Sequence, residues 1–186
     1  MKTVLFATSN RGKAKEVKRI MKKLNVKIIP LDLHEDKTLS HEQLVVRKAW
    51  DAFEKTGKPV VVEDTGLFVE GFKGYPGLNS KGVFNRLGLG GFSRKCGGRK
   101  AFFRTIAGYC DGKNVRLFKG VCRGRIAEKP AKRKIPHLPY LSVFIPSGFK
   151  TPVAAFSKSD LNEFLFEQNH RSKAFKKLEV FLKNVG

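Results

Sequence analysis

Residue types that bind phosphate or metal ions form three polar clusters in the first third of the chain. The first is Thr8–Lys13 (Thr-Ser-Asn-Arg-Gly-Lys), the second is Glu42, and the third is the pair Glu63 and Asp64. A turn that opens a helix presents free backbone N–H groups and the positive end of the helix dipole, which together with Lys13 suit phosphate oxygens. Carboxylates that converge on such a turn can hold Mg²⁺ and activate water against a phosphoanhydride. The spacing leaves a second reading open, in which Glu42 and Glu63 are ordinary surface or capping carboxylates.

The hydrophobic pattern of the first half predicts the elements that would position these clusters. They are a strand at 4–7, a helix over about 11–24, a strand at 27–31, a helix opened by the capping box Ser40–Gln43, and a buried strand at 59–62 that ends before Glu63. This order is typical of an α/β fold with a sheet that begins parallel. Open α/β sheets bind ligands at the ends of strands, where all three polar clusters are expected to lie.

The second half of the chain follows a different pattern. We predict an irregular segment at 71–82, a flexible basic loop around 88–98, a β-hairpin of 102–110 and 115–126, a loop at 128–139, a strand at 143–145, and helices at 159–168 and 171–183. Cys96, Cys110 and Cys122 lack the paired spacing of a metal site and are expected to be free buried thiols in a reducing cytoplasm. No apolar run reaches the roughly 20 residues needed to span a bilayer, so we expect no membrane contact.

The unusual property of the composition is its charge. The chain has 38 Lys and Arg residues against 16 Asp and Glu, for a formal net charge of +22. Residues 81–134 hold 16 of the basic and only 2 of the acidic side chains, so this block alone supplies +14. Such a block repels itself unless counter-charge is provided. It favours a polyanionic partner, although a solvated surface or a general basic drift of composition would give the same excess.

RNA is the polyanion that this block fits best, because its basic residues lie in Gly-flanked loops and a hairpin that could follow an irregular RNA surface. No helix-turn-helix, zinc finger or RNP signature favours DNA or a known RNA module. The candidate RNA-binding residues are Arg94, Lys95, Arg99, Lys100, Arg104, Arg116, Lys119, Arg123, Arg125, Lys132, Arg133 and Lys134.

Several motifs resemble the inosine triphosphate pyrophosphatase family along nearly the whole chain. They are residues 7–13 with Glu16, residues 62–70, 73–77, 118–126 and 144–148, and the run Asn-His-Arg-Ser-Lys-Ala at 169–174. The resemblance implies a single two-lobed α/β domain over 1–186, with a mixed central sheet flanked by helices. One lobe would comprise about 1–70 and 140–186, and the basic lobe about 81–134.

The same resemblance implies an activity and roles for the polar clusters. Members of the family cleave the α–β phosphoanhydride of non-canonical purine nucleotides such as ITP and XTP, use Mg²⁺, and are usually homodimers. Ser9, Asn10 and Lys13 would contact phosphates, and Glu42, Glu63 and Asp64 would serve metal and water. Asp64 and Lys13 would be the catalytic residues.

This chain departs from the family at the residues that read the base. Where the family has Gly-Phe-Gly-Tyr-Asp-Pro, the chain has residues 137–142, with Leu141 in place of the aspartate. The family's base-reading lysine falls near Phe164 or Leu165, and the serine of Ser-His-Arg is Asn169. A purine site rejects the wrong base because that base leaves buried hydrogen-bonding groups of the site unpaired. Without these polar groups the site loses that means of selection.

Two functions are therefore predicted, and we rank RNA binding first. In the first reading the chain is an RNA-binding protein on an inherited pyrophosphatase fold with a partly degenerate nucleotide site, a cytoplasmic component of the ribosome or another ribonucleoprotein that binds rRNA. This reading leans against an enzyme and leaves residual pyrophosphatase activity open. In the alternative the chain is a Mg²⁺-dependent non-canonical purine NTP (XTP/dITP) pyrophosphatase with altered base specificity.

Overall fold

The computed structural model describes residues 3–36, 38–135 and 137–185, and it has the predicted α/β architecture. The strands are β1 (Thr3–Ala7), β2 (Asn25–Ile29), β3 (Val60–Val69), β4 (Pro76–Gly77), β5 (Lys100–Cys110), β6 (Val115–Ile126) and β7 (Phe144–Pro146). The helices are α1 (Arg11–Ile20), α2 (His41–Thr56), α3 (Ser80–Cys96), α4 (Lys158–Glu163) and α5 (His170–Asn184), and a π-helical turn at Phe164–Gln168 joins α4 to α5.

The strands form one mixed sheet in the order β2-β1-β3-β5-β6-β7, with β4 paired to β3 off this path. β1 pairs in parallel with β2 and β3, whereas β3, β5, β6 and β7 pair antiparallel in succession. The prediction that the sheet begins parallel is confirmed. The antiparallel half is built on the predicted hairpin, in which Lys100 lies opposite Arg125 and Cys110 opposite Val115.

Side chains of β3 alternate between two helical layers, as the pleat of a strand requires. Val60 and Val62 pack in a cluster with the α2 residues Val45, Ala49 and Ala52. Val61 packs on the opposite face, in a cluster that also contains residues of α1 and α5. Continuing this alternation along β3 sends the side chain of Glu63 toward α1 and α5 and that of Asp64 toward α2.

β3 is longer than the sequence pattern predicted, and this corrects the position of the acidic pair. The strand continues to Val69 and pairs with β5 over its full length. Glu63 and Asp64 therefore lie inside the strand and not beyond its end. Both are buried, at 4% and 6% exposure. The prediction placed the end of the strand at the first charged residue, but paired cations elsewhere in the fold allow these charges to remain in the interior.

The predicted flexible loop around 88–98 is wrong, because α3 runs through it. The helix has a break at Gly88, where φ is 58° and ψ is −178°. Val83, Phe92 and Cys96 are nonetheless buried in a single hydrophobic cluster. Glycine lowers helix propensity by about 1 kcal/mol a residue, but burial of a helix face outweighs a propensity of this size.

The prediction that 71–82 is irregular is wrong in part, because the segment contains β4 and the first residues of α3. Smaller boundary differences affect several other elements. α1 ends at Ile20 and not near residue 24, β2 covers 25–29 in place of 27–31, and the helix predicted at 159–168 is α4 followed by the π-helical turn. The capping box of α2 is confirmed, since Ser40 accepts from the backbone of Gln43 and the Gln43 side chain accepts from that of Ser40.

Three hydrophobic clusters form the interior, one against each helical layer of the first half and a third built on α3, β5 and residues 140–164. The division into a two-lobed single domain remains a prediction. The three cysteines are free and buried, as expected. In the part of the chain that the structure describes, no helix is long and apolar enough to cross a membrane.

Candidate active site

The predicted phosphate-binding turn lies between β1 and α1. Asn10 is the N-cap of α1, and its Oδ1 accepts a hydrogen bond from the backbone N–H of Lys13 at 3.0 Å. Thr8 Oγ1 accepts from the backbone N–H of Asn10 at 3.2 Å. Ser9 and Asn10 are exposed, and the first turn of α1 contains no acidic residue. The helix end is therefore accessible and electropositive, as anion binding requires.

Glu63 joins this turn to the start of α5. Its Oε1 forms an ion pair with Lys13 Nζ, and its Oε2 lies 3.1 Å from Arg171 Nε. Burial would raise the pKa of the Glu63 carboxyl, but the charges of Arg171 and Lys13 and their hydrogen bonds act more strongly, so the pKa lies well below its usual range. Glu63 is consequently an anion held between two cations at neutral pH.

Arg171 also connects α5 to α1. Its Nη1 lies 2.6 Å from Glu16 Oε2, and Asn169 Nδ2 donates to the other oxygen of Glu16 at 2.9 Å. Arg171 is only 3% exposed. Burial opposes its charge, but Glu63 and Glu16 raise the pKa of the guanidinium above its usual value. Glu16, Glu63, Asn169 and Arg171 therefore form one buried network, in which each charged group has a partner of opposite sign.

Asp64 lies on the α2 side of β3 in a separate group of contacts. His41 Nε2 is 3.0 Å from Asp64 Oδ2, and Lys48 Nζ is 3.5 Å from Oδ1. Burial raises the pKa of the Asp64 carboxyl, but the hydrogen bond from His41 and the charges of Lys13 and Lys48 lower it by more. Asp64 is therefore also ionised, in a position where two neighbouring groups restrict its orientation.

Lys48 occupies a position surrounded by oxygen atoms. Its Nζ lies 2.8 Å from Glu35 Oε1, 3.4 Å from the backbone oxygen of Glu63 and 3.5 Å from Asp64 Oδ1. Burial lowers the pKa of Lys48, but Asp64 and Glu35 raise it to a net value above the usual one. Three oxygens thus converge on one cation immediately beside the acidic pair.

Glu42 does not join the other two predicted metal ligands. Its Oε1 lies 2.7 Å from Lys119 Nζ and 4.0 Å from Arg104 Nη1. The hydrogen bond from Lys119 is the main cause of its lowered pKa. Glu35 takes the place beside Asp64 that the sequence analysis gave to Glu42. Within the described residues, no group of three His, Cys, Asp or Glu side chains is arranged to hold a metal ion.

Sequence reasoning missed the residues that hold the acidic pair. They are Glu16, Glu35, His41, Lys48 and Arg171. Glu16 and Arg171 belong to motifs that resemble the pyrophosphatase family, so a signal was present, but their pairing across 155 residues had no local trace. Glu35 precedes α2 in a segment without regular structure, and no period or cap marks it.

A pocket of about 160 Å³ opens beside the phosphate-binding turn and the Glu16–Arg171 network. It is lined by Asn10, Lys13, Glu16, Thr65, Leu67, Ser80, Phe103, His137, Leu138, Pro139, Tyr140, Leu141, Leu165, Asn169, His170 and Arg171. The segment 137–141 and Leu165, which the family resemblance places at the base-binding wall, both contribute to this lining. Residues of the turn between β1 and α1 and a set of apolar side chains thus line the same pocket.

Several of the basic residues predicted to bind RNA have partners within the protein. Arg104 donates to His41 Nδ1 at 3.0 Å, Lys119 pairs with Glu42, and Arg133 donates to the backbone oxygen of Phe156 at 3.1 Å. The cations of Lys95, Arg99 and Arg116 lie over aromatic rings. The remaining candidates, Arg94, Lys100, Arg123, Arg125, Lys132 and Lys134, are exposed.

The fold defines the class to which the chain belongs. It resembles the solved Ham1 protein of Staphylococcus aureus with a TM-score of 0.75 and 23% identity, covering 100% of both chains. A HAM1 protein of Coxiella burnetii gives a TM-score of 0.75 at 22% identity, covering 99% of this chain and 100% of the other. The Ham1 family model matches residues 4–181, and the chain belongs to the Ham1 family.

Relatives along the full length carry names that agree with the predicted resemblance. A dITP/XTP pyrophosphatase of Methanopyrus kandleri is 36% identical over 187 residues, which cover 97% of this chain and 96% of the relative. One of Pyrococcus horikoshii is 34% identical with the same coverage. An inosine triphosphate pyrophosphatase of Yarrowia lipolytica is 32% identical over 97% of this chain and 95% of its own.

These relatives overturn the ranking of the two predicted functions. RNA binding as a ribosomal or ribonucleoprotein component, with rRNA as the partner, was wrong: the family match and the relatives support the alternative, a nucleotide pyrophosphatase. The leaning against an enzyme was unsupported for the same reason. The physical error was to infer a partner from net charge alone, since a basic surface does not identify what binds it, and Arg104, Lys119 and Arg133 also have partners within the protein.

Proposed function

We propose that the chain is a Mg²⁺-dependent pyrophosphatase of non-canonical purine nucleoside triphosphates, working in the cytoplasm. Water adds to the α-phosphorus, the α–β phosphoanhydride breaks, and the products are a nucleoside monophosphate and pyrophosphate. The observation that carries the proposal is that Lys13, at the open end of α1, pairs with buried Glu63, whose neighbour Asp64 is held as an oriented anion. The names of the full-length relatives support the same reaction class.

The phosphates would bind at the turn between β1 and α1. Ser9 and Asn10 offer an accessible hydroxyl and amide, and the first backbone N–H groups of α1 add donors without a competing acidic side chain. Lys13 Nζ is partly exposed, with 22% of the side chain accessible, so it can reach a phosphate oxygen while it remains close to Glu63. Its charge offsets the negative charge that develops on the phosphates as the bond breaks.

The oxygen atoms around Lys48 can be compared with the ligands that Mg²⁺ prefers. Mg²⁺ prefers carboxylate, carbonyl and water oxygens, and Glu35, Asp64 and the Glu63 carbonyl already converge on one cation. The donor types therefore fit, and the carboxylates of Glu35 and Asp64 with the backbone carbonyl of Glu63 would hold the ion in place of Lys48 Nζ. Bound there, Mg²⁺ would neutralise phosphate charge and lower the pKa of a water molecule.

Asp64 is the residue that we assign to the attacking water. Because the carboxylate stays ionised, it can accept a proton from water as the oxygen approaches the α-phosphorus. His41 restrains one of its oxygens at 3.0 Å, which leaves Oδ1 as the atom facing Lys48 and the predicted metal position. The purine base of the substrate would lie in the pocket lined by Leu67, Leu141 and Leu165, between the two proposed lobes.

Pyrophosphate release from a panel of ITP, XTP, dITP and the canonical triphosphates tests the proposal. We expect turnover that requires Mg²⁺, disappears on chelation with EDTA, and falls at least about 100-fold in Asp64→Asn. Asp51→Asn provides a matched control, since Asp51 is a half-exposed aspartate on α2 that takes no part in the site. Absence of turnover with every triphosphate, in folded protein supplied with Mg²⁺, would exclude the proposed function.

A further inference from the structure

One wall of the pocket is apolar. Leu67, Phe103, Tyr140 and Leu141 are buried members of one hydrophobic cluster, against which Leu138 and Leu165 pack. All six line the pocket. A ring that enters with its phosphates at Lys13 would therefore meet hydrocarbon on this side.

Most polar side chains that line the same pocket are engaged with protein partners. Ser80 Oγ donates to the Gly77 carbonyl at 2.7 Å and accepts from the Leu67 amide, and Tyr140 O–H donates to the Ser80 carbonyl at 2.6 Å. Thr65 Oγ1 contacts Glu63, Thr105 and Arg171. Asn169, Arg171 and Glu16 satisfy one another. These groups cannot turn to a ligand without breaking buried hydrogen bonds.

Two histidines of the lining differ from these groups, since His137 is exposed and His170 is buried. His170 is 6% exposed, and its Nδ1 is buried with no hydrogen-bond partner among the described residues. Its ring stacks on that of Phe103, with centroids 4.7 Å apart and planes inclined by 18°. Burial, together with the charge of Arg171, keeps the pKa of His170 far below its usual value, so the imidazole is neutral. This nitrogen is unpaired but enclosed by protein atoms, so it does not offer a hydrogen bond to a base in the pocket.

We infer that this pocket selects purine triphosphates whose six-position edge is apolar, unsubstituted or alkylated, over those with a 6-oxo group such as ITP and XTP. The inference rests on the proposed function and names the substrate class of the same site. A 6-oxo group needs a hydrogen-bond donor and the neighbouring N1–H needs an acceptor, and both would be desolvated against leucine side chains. Buried polar groups left unpaired weaken binding, whereas an apolar edge gains from the same surroundings.

A matched pair of substrates tests the inference directly. Purine riboside 5′-triphosphate differs from ITP only in lacking the 6-oxo group and the N1 proton that accompanies it. We expect its kcat/KM to exceed that of ITP by about tenfold, the effect of roughly one unpaired buried hydrogen-bonding group. The monophosphates should differ in the same direction in equilibrium binding followed by calorimetry. A kcat/KM for ITP equal to or higher than that for purine riboside triphosphate would overturn the inference.

The wall itself can be altered at Leu165, which lines the pocket and is only half-buried, so a polar side chain is tolerated there. Leu165→Gln supplies a donor and an acceptor and should raise the ITP to purine riboside triphosphate ratio of kcat/KM about five- to tenfold. Leu87→Gln is the control, since Leu87 is half-buried on the same cluster but does not line the pocket. An equal shift in both variants, or none in Leu165→Gln, would count against the inference.

The two proposals fail in different ways. If no triphosphate is hydrolysed, the proposed function fails, and the monophosphate binding comparison still tests the pocket on its own. If triphosphates are hydrolysed but ITP and XTP are preferred, the proposed function stands and only the inferred base class is wrong.

Discussion

Arg104 donates a hydrogen bond from Nε to Nδ1 of His41 across 3.0 Å. Since Nδ1 accepts, the ring proton of a neutral His41 is on Nε2, the nitrogen that lies 3.0 Å from Asp64 Oδ2. His41 is 3% exposed, and it is the first residue of α2. Arg104 on β5 therefore sets the orientation of a carboxylate on β3 through a histidine on α2.

His41→Phe should lower kcat about 10- to 100-fold with little change in KM, because loss of an orienting partner impairs the carboxylate and not phosphate binding. His41→Gln keeps a donor of similar reach and should restore most of the activity. Steady-state pyrophosphate release by the two variants provides the comparison.

Arg104→Leu should resemble His41→Phe, whereas Arg123→Leu, an exposed arginine on the adjacent β6, should leave kcat unchanged. Equal losses for Arg104 and Arg123 would show that general positive charge, and not the histidine contact, is what matters.

The buried ion pair of Glu16 and Arg171 should be the main contact that stabilises the packing of α1 against α5. Glu16→Gln leaves the Arg171 charge without one of its two carboxylates and should lower the free energy of unfolding by about 3–5 kcal/mol. Glu167 pairs with Lys176 at the exposed surface, and Glu167→Gln should cost under about 1 kcal/mol. Urea denaturation of both variants measures the contrast, and similar losses in the two would refute it.

Acid should unfold the protein through the depressed carboxyl groups of Glu63 and Asp64. Because their folded pKa values lie below the unfolded values of 4.5 and 3.8, their stabilising contribution is complete above about pH 5. It is lost as the pH falls below the unfolded values toward the folded ones, where the unfolded chain binds more protons. We expect the free energy of unfolding, measured in urea between pH 7 and pH 3, to begin to decline near pH 6.5, where the unfolded chain protonates His170 and the folded chain does not. It should fall further below about pH 5, where Glu63 and Asp64 add their contributions.

Glu63→Gln removes one of these titrating groups and should make the acid decline shallower, although the variant is less stable at pH 7. Asp111→Asn alters an exposed turn aspartate and should leave most of the decline in place. A decline of the same steepness in wild type and Glu63→Gln would contradict the assignment.

Gly120 of β6 allows α5 to approach the sheet where His170 begins the helix. A Cβ added at Gly120 would lie 2.0 Å from the backbone oxygen of His170 and 2.5 Å from the backbone nitrogen of Ala174. Gly120→Ala should therefore push α5 outward, lower the free energy of unfolding by about 1–3 kcal/mol, and reduce kcat/KM by displacing His170 and Arg171.

Gly90→Ala is the control for this substitution, since an added Cβ there meets nothing closer than 3.7 Å. It should be neutral or slightly stabilising, because alanine loses less backbone entropy than glycine in a helix. Thermal melts and pyrophosphate assays of the two variants give the comparison, and a tolerated Gly120→Ala would show that α5 is not held by this close approach.

Local patterns were sufficient for the elements whose signals lie within a few residues. The capping box at Ser40 and the hairpin around Asp111 were each predicted from short-range chemistry, and each is present in the structure. The segment 88–98 failed because its glycines favour a loop locally, while burial of Phe92 and Cys96 against distant side chains favours α3.

The partners of the charged residues could not be predicted from the chain alone. Glu42 and Glu35 are seven residues apart, yet one pairs with Lys119 on β6 and the other with Lys48 beside Asp64. The same holds for Arg104, which composition assigned to RNA and the fold assigns to His41. An ion pair extends over a few ångströms, and the sequence separation of its members carries no information about that distance.

The sequence by itself determined the order of strands and helices apart from β4 and α3, the turn that opens α1, the family, and the apolar residues at Leu141 and Leu165, because each follows from residue types in short runs. The tertiary structure alone decided which carboxylates converge, which basic residues are neutralised, and that His170 retains a free buried nitrogen. Those properties depend on distances between side chains far apart in the chain, and only packing of α1, α2 and α5 onto the sheet sets them.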